Sequence, residues 1–181
     1  MITFYRILSV TDSHFSSMVT LYKSAFPPEQ RRSLEKLKHE MLTSNYFRVH
    51  ALLVNGKFVG FSNSWIFETF YFVEHFAIRP ELRGKKFGSE ALNTFKESIA
   101  LPVIIEVEMP NSAIATRRIE FYEKAGFHII PNDYAQPPYR TPDSMIPMFI
   151  MTNDKEFVSK HFDPIKKTLY KEVYHVITQQ R

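Results

Sequence analysis

No cysteine occurs among the 181 residues. That excludes disulfides, thiolate metal sites and cysteine nucleophiles, and it fits a reducing, cytoplasmic setting. Glycine is scarce, at five positions, so each one draws notice as a place of special backbone geometry. No apolar run approaches the roughly 20 residues that a membrane-spanning helix requires. Met1 to Val10 alternates apolar with polar residues, as a strand does and a signal peptide does not. The seven histidines never fall at i, i+4, and no metal site is expected. Repeats, low-complexity stretches and domain linkers are missing as well.

Against these absences stand seventeen phenylalanines and nine tyrosines in a chain that is 44% hydrophobic, enough to bury a core of its own. A single domain over 1–181 is expected, with a core fold over about 1–152 and a helical extension over 153–181. The formal net charge is +4. The pairs Arg31-Arg32, Lys85-Lys86, Arg117-Arg118 and Lys166-Lys167 are spread along the chain as solvated faces, one of them available to phosphates. They do not gather into a nucleic-acid footprint. Neither nucleic acid nor membrane is expected as a partner.

Local signals divide the chain as follows. Ile2 to Val10 reads as a strand, and Thr11, Asp12 and Ser13 offer N-cap residues before a helix over Ser16 to Phe26. Pro27-Pro28 stops it, and a second helix spans Glu29 to Leu42 with Leu34, Leu37 and Met41 on one face. Phe47 to Val54 and Phe58 to Phe67 flank Asn55-Gly56, a hairpin signal. A strand over Tyr71 to Ile78 leads through Pro80 to a helix over Gly88 to Ala100. Then come a strand over Val103 to Met109, a helix capped by Asn111 or Ser112 and ending near Ala125, and a short strand over Phe127 to Ile130. Gly126 sits where a helix end needs a left-handed residue. Pro131 to Pro147 holds five of the eleven prolines and reads as a loop over a site. Met148 to Met151 is a last strand, and a helix over about Asp154 to Ile177, broken near Asp163-Pro164, closes the chain. Leu169, Val173 and Val176 form a stripe suited to its own domain or to a second subunit, so a monomer or a homodimer is expected. The class is α/β (α+β): one mixed, mostly antiparallel sheet with helices on both faces.

Two motifs carry chemistry. Arg83-Gly84-Lys85-Lys86-Phe87-Gly88-Ser89 joins a strand to a helix start, where converging backbone N–H groups, the helix dipole and basic side chains hold a pyrophosphate. Phe121-Tyr122-Glu123-Lys124-Ala125-Gly126-Phe127 closes a later helix. Together with the element order they resemble the GNAT superfamily of acyl-CoA-dependent N-acyltransferases, over nearly the whole chain. The final helix is an addition to that pattern.

The resemblance implies acetyl-CoA as cofactor. The family's loop motif is Arg or Gln, two residues, Gly, one residue, then Gly or Ala; here Arg83 opens it and Gly88 ends it, with Lys86 in place of the middle glycine. Lysine is accommodated there at negative φ, and at positive φ costs of order 1 kcal/mol and alters the loop. Phe76, Ala77 and Ile78 match the positions whose backbone pairs with the pantetheine arm, much as an added strand would. In the second motif the family's Asn and Ala, seven and four residues before the tyrosine, are Ala115 and Arg118 here, while the Phe121-Tyr122 core and Gly126-Phe127 are intact.

An amine with a lysine-like pKa near 10.4 is mostly ammonium at neutral pH, so attack on a thioester needs a base, an oxyanion donor and an acid for the thiolate. Glu74 is the expected base, two residues before Phe76 and so on the same face, with Glu106 and Glu108 as runners-up or as binders of the acceptor's ammonium. His75 is expected on the opposite face, packed or at the surface. Tyr122 matches the tyrosine that stands near the CoA sulfur in the family and is the expected acid. A backbone N–H near Ala77 or Ile78 would serve the oxyanion.

Family acceptor pockets use the first two helices and the late loop, which here places Phe26, Tyr134 and Tyr139 beside Glu106 and Glu108. The implied acceptor is a small-molecule amine or a peptide N-terminus. The rival expectation is a catalytically weak member that binds acyl-CoA as a sensor or structural partner.

Overall fold

The structure is a computed structural model and describes residues 1–140 and 143–176. The chain forms two compact units, Met1–Leu101 and Pro102–Arg181.

The first unit is an antiparallel meander of β1 (Ile2–Arg6), β2 (Phe47–Val54), β3 (Lys57–Ile66) and β4 (Tyr71–Ile78). Asn55 (φ 50°) and Gly56 (φ 74°) close the β2–β3 turn with both central residues left-handed, as the twist of the strands favours. On one face lie α1 (Phe15–Ala25) and α2 (Leu34–Thr43), with Tyr22 of α1 edge-on to Phe61 and His75. On the other lies α3 (Phe87–Ser98), whose Phe95 meets Phe4 and Tyr71. β1 ends at Arg6, four residues short of the predicted Val10. α2 begins later than predicted because Ser33 caps it, accepting from the Lys36 N–H at 3.2 Å. The prolines before it form a short 3-10 turn over Pro28–Gln30.

A β-bulge in β4 matters most for function. Asn63 pairs with His75 and Ser64 with Val73, which leaves Glu74 as the extra residue between them. The expected alternation of faces fails there. Val73 and Phe76 lie beneath α3 with Phe4, Ala91, Leu92 and Phe95. Glu74 and His75 both turn to the other face, toward Arg32 and Gln30. Glu74 therefore does not share a face with Phe76, and His75 does not oppose it.

In the second unit β8 (Ile146–Thr152) runs antiparallel between β5 (Val103–Glu108) and β6 (His128–Ile130). β7 (Ala135–Gln136) emerges from the predicted loop and pairs with Ile146 and Pro147, which is why β8 starts two residues before Met148. α4 (Ala113–Lys124) begins at a Ser112 cap. The closing helix is in three pieces: α5 (Lys155–Lys160), α6 (Phe162–Thr168) and a π-helical turn (Leu169–Val173). The break falls at His161, while Pro164 sits in the first turn of α6, where its missing N–H costs nothing. Leu169 and Val173 are fully buried. The predicted end of this helix at Ile177 lies outside the described residues. Among those described, no helix is long and apolar enough to cross a membrane, and no cluster of His, Asp and Glu has the makings of a metal site.

The fold is thus mixed α/β, with helices on both faces of the antiparallel strands in the first unit.

Candidate active site

β4 delivers the chain to the basic loop. Opposite its last residues stands Gly60, where a side chain would lie 2.4 Å from the Ala77 carbonyl and 2.9 Å from Ile78 Cδ1, so glycine alone lets β3 and β4 close at this point. Ala77 and Ile78 are buried, and Phe76 is half-buried. A 3-10 turn over Pro80–Leu82 follows, and Arg83 turns its Nε back to the Ile78 carbonyl at 3.4 Å. Gly84 (φ 77°) and Lys86 (φ 65°, ψ 2°) are both left-handed, on either side of Lys85. The middle position of the motif thus has the conformation that glycine prefers, and Lys86 adopts it at a cost of order 1 kcal/mol. Lys86 is also the residue that opens α3, and no side chain caps that end. The first-turn N–H groups through Phe87, Gly88 and Ser89 face outward with the helix dipole behind them, flanked by Arg83, Lys85 and Lys86.

Glu74 is sealed in. Its side chain is 1% exposed; Oε1 lies 3.0 Å from the Arg32 guanidinium and Oε2 accepts from the Trp65 indole N–H at 2.7 Å. Arg32 is 3% exposed, stands over the Trp65 ring and reaches Glu40, itself buried, at 3.9 Å. The Arg31-Arg32 pair is therefore not a solvated face: Arg32 is the cation of a buried network. His75 belongs to the same region, donating from Nε2 to the Gln30 carbonyl at 2.9 Å between the rings of Tyr22 and Phe26. Burial pushes its pKa down against the pull of Glu74, so it is a neutral, packed histidine. Phe26 is half-buried against it.

In the second unit α4 ends in a Schellman motif. Gly126 (φ 82°) donates to the Glu123 carbonyl at 2.9 Å and Phe127 to the Tyr122 carbonyl at 3.0 Å. That geometry sets Tyr122 between Phe121 and Phe127, with its ring buried. Burial raises its phenol to about 12, against a lowering by Arg118, so it is protonated at neutral pH. Arg118 is held by Glu108 at 2.8 Å.

Glu106, on β5, is half-buried and collects three donors: the Tyr134 hydroxyl on Oε1, and the Gln136 amide (2.9 Å) and Tyr174 hydroxyl (2.5 Å) on Oε2. The Gln136 amide also donates to the Tyr174 oxygen at 2.8 Å. Burial, then the charge of Glu106, holds the Tyr134 phenol well above its ordinary value. Tyr139 packs on Tyr174, and the Tyr170 hydroxyl holds the Ala135 carbonyl at 2.5 Å. Tyr134 and Tyr139 are buried, so neither offers an open ring face, and Tyr134 instead holds the Glu106 carboxylate. Within this unit the structure brings Glu106, Tyr134 and Tyr139 together, and in the first unit it gathers Phe76, Ala77, Ile78 and the loop. The sequence reading missed Arg32, Trp65 and Tyr174, while Gln136 lies in the late loop that it placed at the acceptor pocket. Only Tyr174, four residues from Tyr170 on a helical stretch, carried a visible signal.

The sequence profile of the acetyltransferase (GNAT) family matches residues 15–127. Among solved structures, a GNAT-family protein of Bacteroides thetaiotaomicron is 35% identical, covering 96% of this chain and 99% of its own, at a TM-score of 0.91. Lower in identity, at 15% each, are two others. A GNAT-family acetyltransferase of Elizabethkingia anophelis with acetyl-CoA bound has a TM-score of 0.55, covering 83% of this chain and 96% of its own. Naa50 of Arabidopsis thaliana, in complex with the bisubstrate analogue CoA-Ac-MVNAL, has a TM-score of 0.60, covering 84% and 98%. Among curated proteins none matches the chain.

Proposed function

This chain belongs to the acetyltransferase (GNAT) family, and on that premise we propose that it transfers an acetyl group from acetyl-CoA to a primary amine by direct attack in a ternary complex. The observation that carries the reading is the loop after β4: two left-handed residues, Gly84 and Lys86, lead into a helix end that no side chain caps. Backbone donors and the helix dipole offer a pyrophosphate what it requires, and Arg83 and Lys85 add charge. Phe76, Ala77 and Ile78 take the pantetheine arm.

The amine nitrogen attacks the thioester carbonyl, the C–S bond breaks and the thiolate leaves with a proton. Tyr122 supplies that proton, being a neutral phenol in a dry setting. The ammonium proton goes to a carboxylate. Both oxygens of Glu74 are engaged by Trp65 and Arg32 behind a 1% exposed side chain, so the expected base is poorly placed to meet an acceptor. Glu106 is half-buried and takes the Tyr134 and Tyr174 hydroxyls and the Gln136 amide, three neutral donors that an ammonium can replace. We assign the acceptor's proton to Glu106, with Tyr134 and Tyr139 around it and Glu108 held aside by Arg118. A small amine and a peptide N-terminus both suit this chemistry; the peptide analogue held by Naa50 favours including short peptides among acceptors tried.

The test is thiol release from acetyl-CoA across a panel of amines and short peptides. Turnover is expected, with Tyr122→Phe lowering kcat about tenfold or more and leaving cofactor affinity nearly unchanged. The acid limb of the pH–rate profile should flatten in Glu106→Gln and persist in Glu74→Gln; the reverse pattern returns the base to Glu74. Binding without thiol release would mark a sensor.

A further inference from the structure

A second cationic site lies on the α3-covered face of the first unit, away from the loop. β1 and β2 place Arg6 directly opposite His50; two residues earlier in β2, Arg48 stands opposite Ser64 of β3. Residues paired in this way share a face, so Arg6, Arg48, His50 and Ser64 project together. Ser64 shares a 2.6 Å hydrogen bond with the Tyr71 hydroxyl, which leaves one of the two hydroxyl protons to donate elsewhere. Phe4, edge-on to His50, and Phe95 of α3, edge-on to Tyr71, wall the cluster on its apolar side.

The charges here are unbalanced. Among the described residues no carboxylate pairs with Arg6 or Arg48, and Arg48 spends only one N–H, on the Phe47 carbonyl at 2.8 Å. The charged neighbours acting on His50 are Arg6 and Arg48, and the one acting on Arg48 is Arg6; the Tyr71 phenol beside it is pushed up to about 12 by burial and is neutral. His50 Nδ1 is buried and has no hydrogen-bond partner. A buried polar atom without a partner costs roughly 1–3 kcal/mol, and two guanidiniums on one face, that of Arg6 on an exposed residue, add repulsion where no carboxylate among the described residues pairs with them. An anion would relieve both.

We propose that Arg6, Arg48, His50 and the Ser64–Tyr71 hydroxyl pair form a binding site for a tetrahedral phosphoryl anion, either free phosphate or a phosphomonoester. Two forked guanidiniums match a dianion in charge and in donor number, beyond what one carboxylate needs. Tyr71 begins β4 and Ile78 ends it, so seven residues at about 3.3 Å each put the site roughly 23 Å along the strand from the pyrophosphate loop. The two sites are separately occupied, and this one does not depend on the acyltransferase reading.

The test follows the His50 ring by NMR, its signal identified by loss in His50→Gln, while inorganic phosphate is added to the full chain at constant ionic strength. A saturable shift is expected with phosphate and not with chloride, weakened at least tenfold in Arg48→Gln and in Arg6→Gln. Arg48→Lys, which keeps the charge and loses the fork, should weaken it less, and Arg83→Gln should leave it unchanged. O-phosphoserine in place of phosphate separates the sources: tighter binding assigns the site to a phosphomonoester, equal or weaker binding to free phosphate. A shift that chloride reproduces, that never saturates, or that survives both arginine substitutions in folded protein overturns the proposal, whatever the outcome of any turnover assay.

Discussion

Replacing Arg32 with methionine removes the cation that two buried carboxylates share. Arg32 lies 3.0 Å from Glu74 and 3.9 Å from Glu40. At an effective dielectric near 20 these distances correspond to gross attractions of about 5.5 and about 4 kcal/mol. Most of that only offsets the cost of taking three charges out of water, so the net loss on breaking the network is about 3–5 kcal/mol. For a chain of this size each kcal/mol moves the melting midpoint by roughly 2–4 °C, so Arg32→Met should lower Tm by about 10 °C. Thermal unfolding followed by far-UV circular dichroism reads this directly. The double variant Arg32→Met with Glu74→Gln should be more stable than the sum of the two single losses allows, by about 1.5 kcal/mol or more, since only one buried carboxylate then lacks its partner. A single-variant loss below about 1 kcal/mol, with strict additivity in the double, would mean that the network is solvated and that Glu74 is available to an acceptor after all.

Three further outcomes are expected. Gly60→Ala should force β4 away at Ala77 and Ile78, since the added carbon would stand 2.4 Å from a backbone carbonyl, and should weaken acetyl-CoA binding as well as stability; calorimetric binding equal to the parent's would separate those residues from the cofactor. Lys86→Gly should not destabilise, because relief of the left-handed strain of about 1 kcal/mol offsets the freer unfolded chain, whereas Lys86→Val should cost more than about 1 kcal/mol in urea unfolding; equal losses in both would contradict the observed φ of 65°. Burial, with Arg6 and Arg48, lowers His50 to about 4. The unfolded chain near 6.5 therefore binds the proton first, and this contribution to stability is whole above about pH 6.5 and lost as pH falls toward 4, by of order 2–3 kcal/mol. In phosphate-free buffer His50→Gln should show a shallower fall over that window, and an identical slope would refute the assignment.

Much of the fold was written in local signals. Asn55-Gly56, the Ser112 cap and the Gly126 terminus each dictate a backbone conformation by their own chemistry, and Tyr71–Ile78 emerged with the predicted ends. The bulge at Glu74 was not legible, because it arises from the pairing of β3 with β4 and not from the residues at the kink. Once it is present, face assignments made by alternation invert on one side of it, which is why Glu74 and His75 were misplaced. Arg32 was hidden for a related reason: nothing local distinguishes a guanidinium buried between two glutamates and an indole from its half-buried neighbour Arg31. The basic loop after β4 was legible as a turn because Gly84 marks a left-handed position, and sequence reports turns better than it reports partners. Tyr174 meets Glu106 through a long-range contact and left no local trace beyond the Tyr170–Tyr174 spacing.

Calorimetric titration of the full chain with acetyl-CoA, with ATP as the comparison, bears most directly on the central claim. The account predicts micromolar, one-to-one binding of acetyl-CoA and much weaker binding of ATP, because strand and loop together read pantetheine as well as pyrophosphate. No detectable binding of acetyl-CoA, or equal binding of ATP, would contradict it.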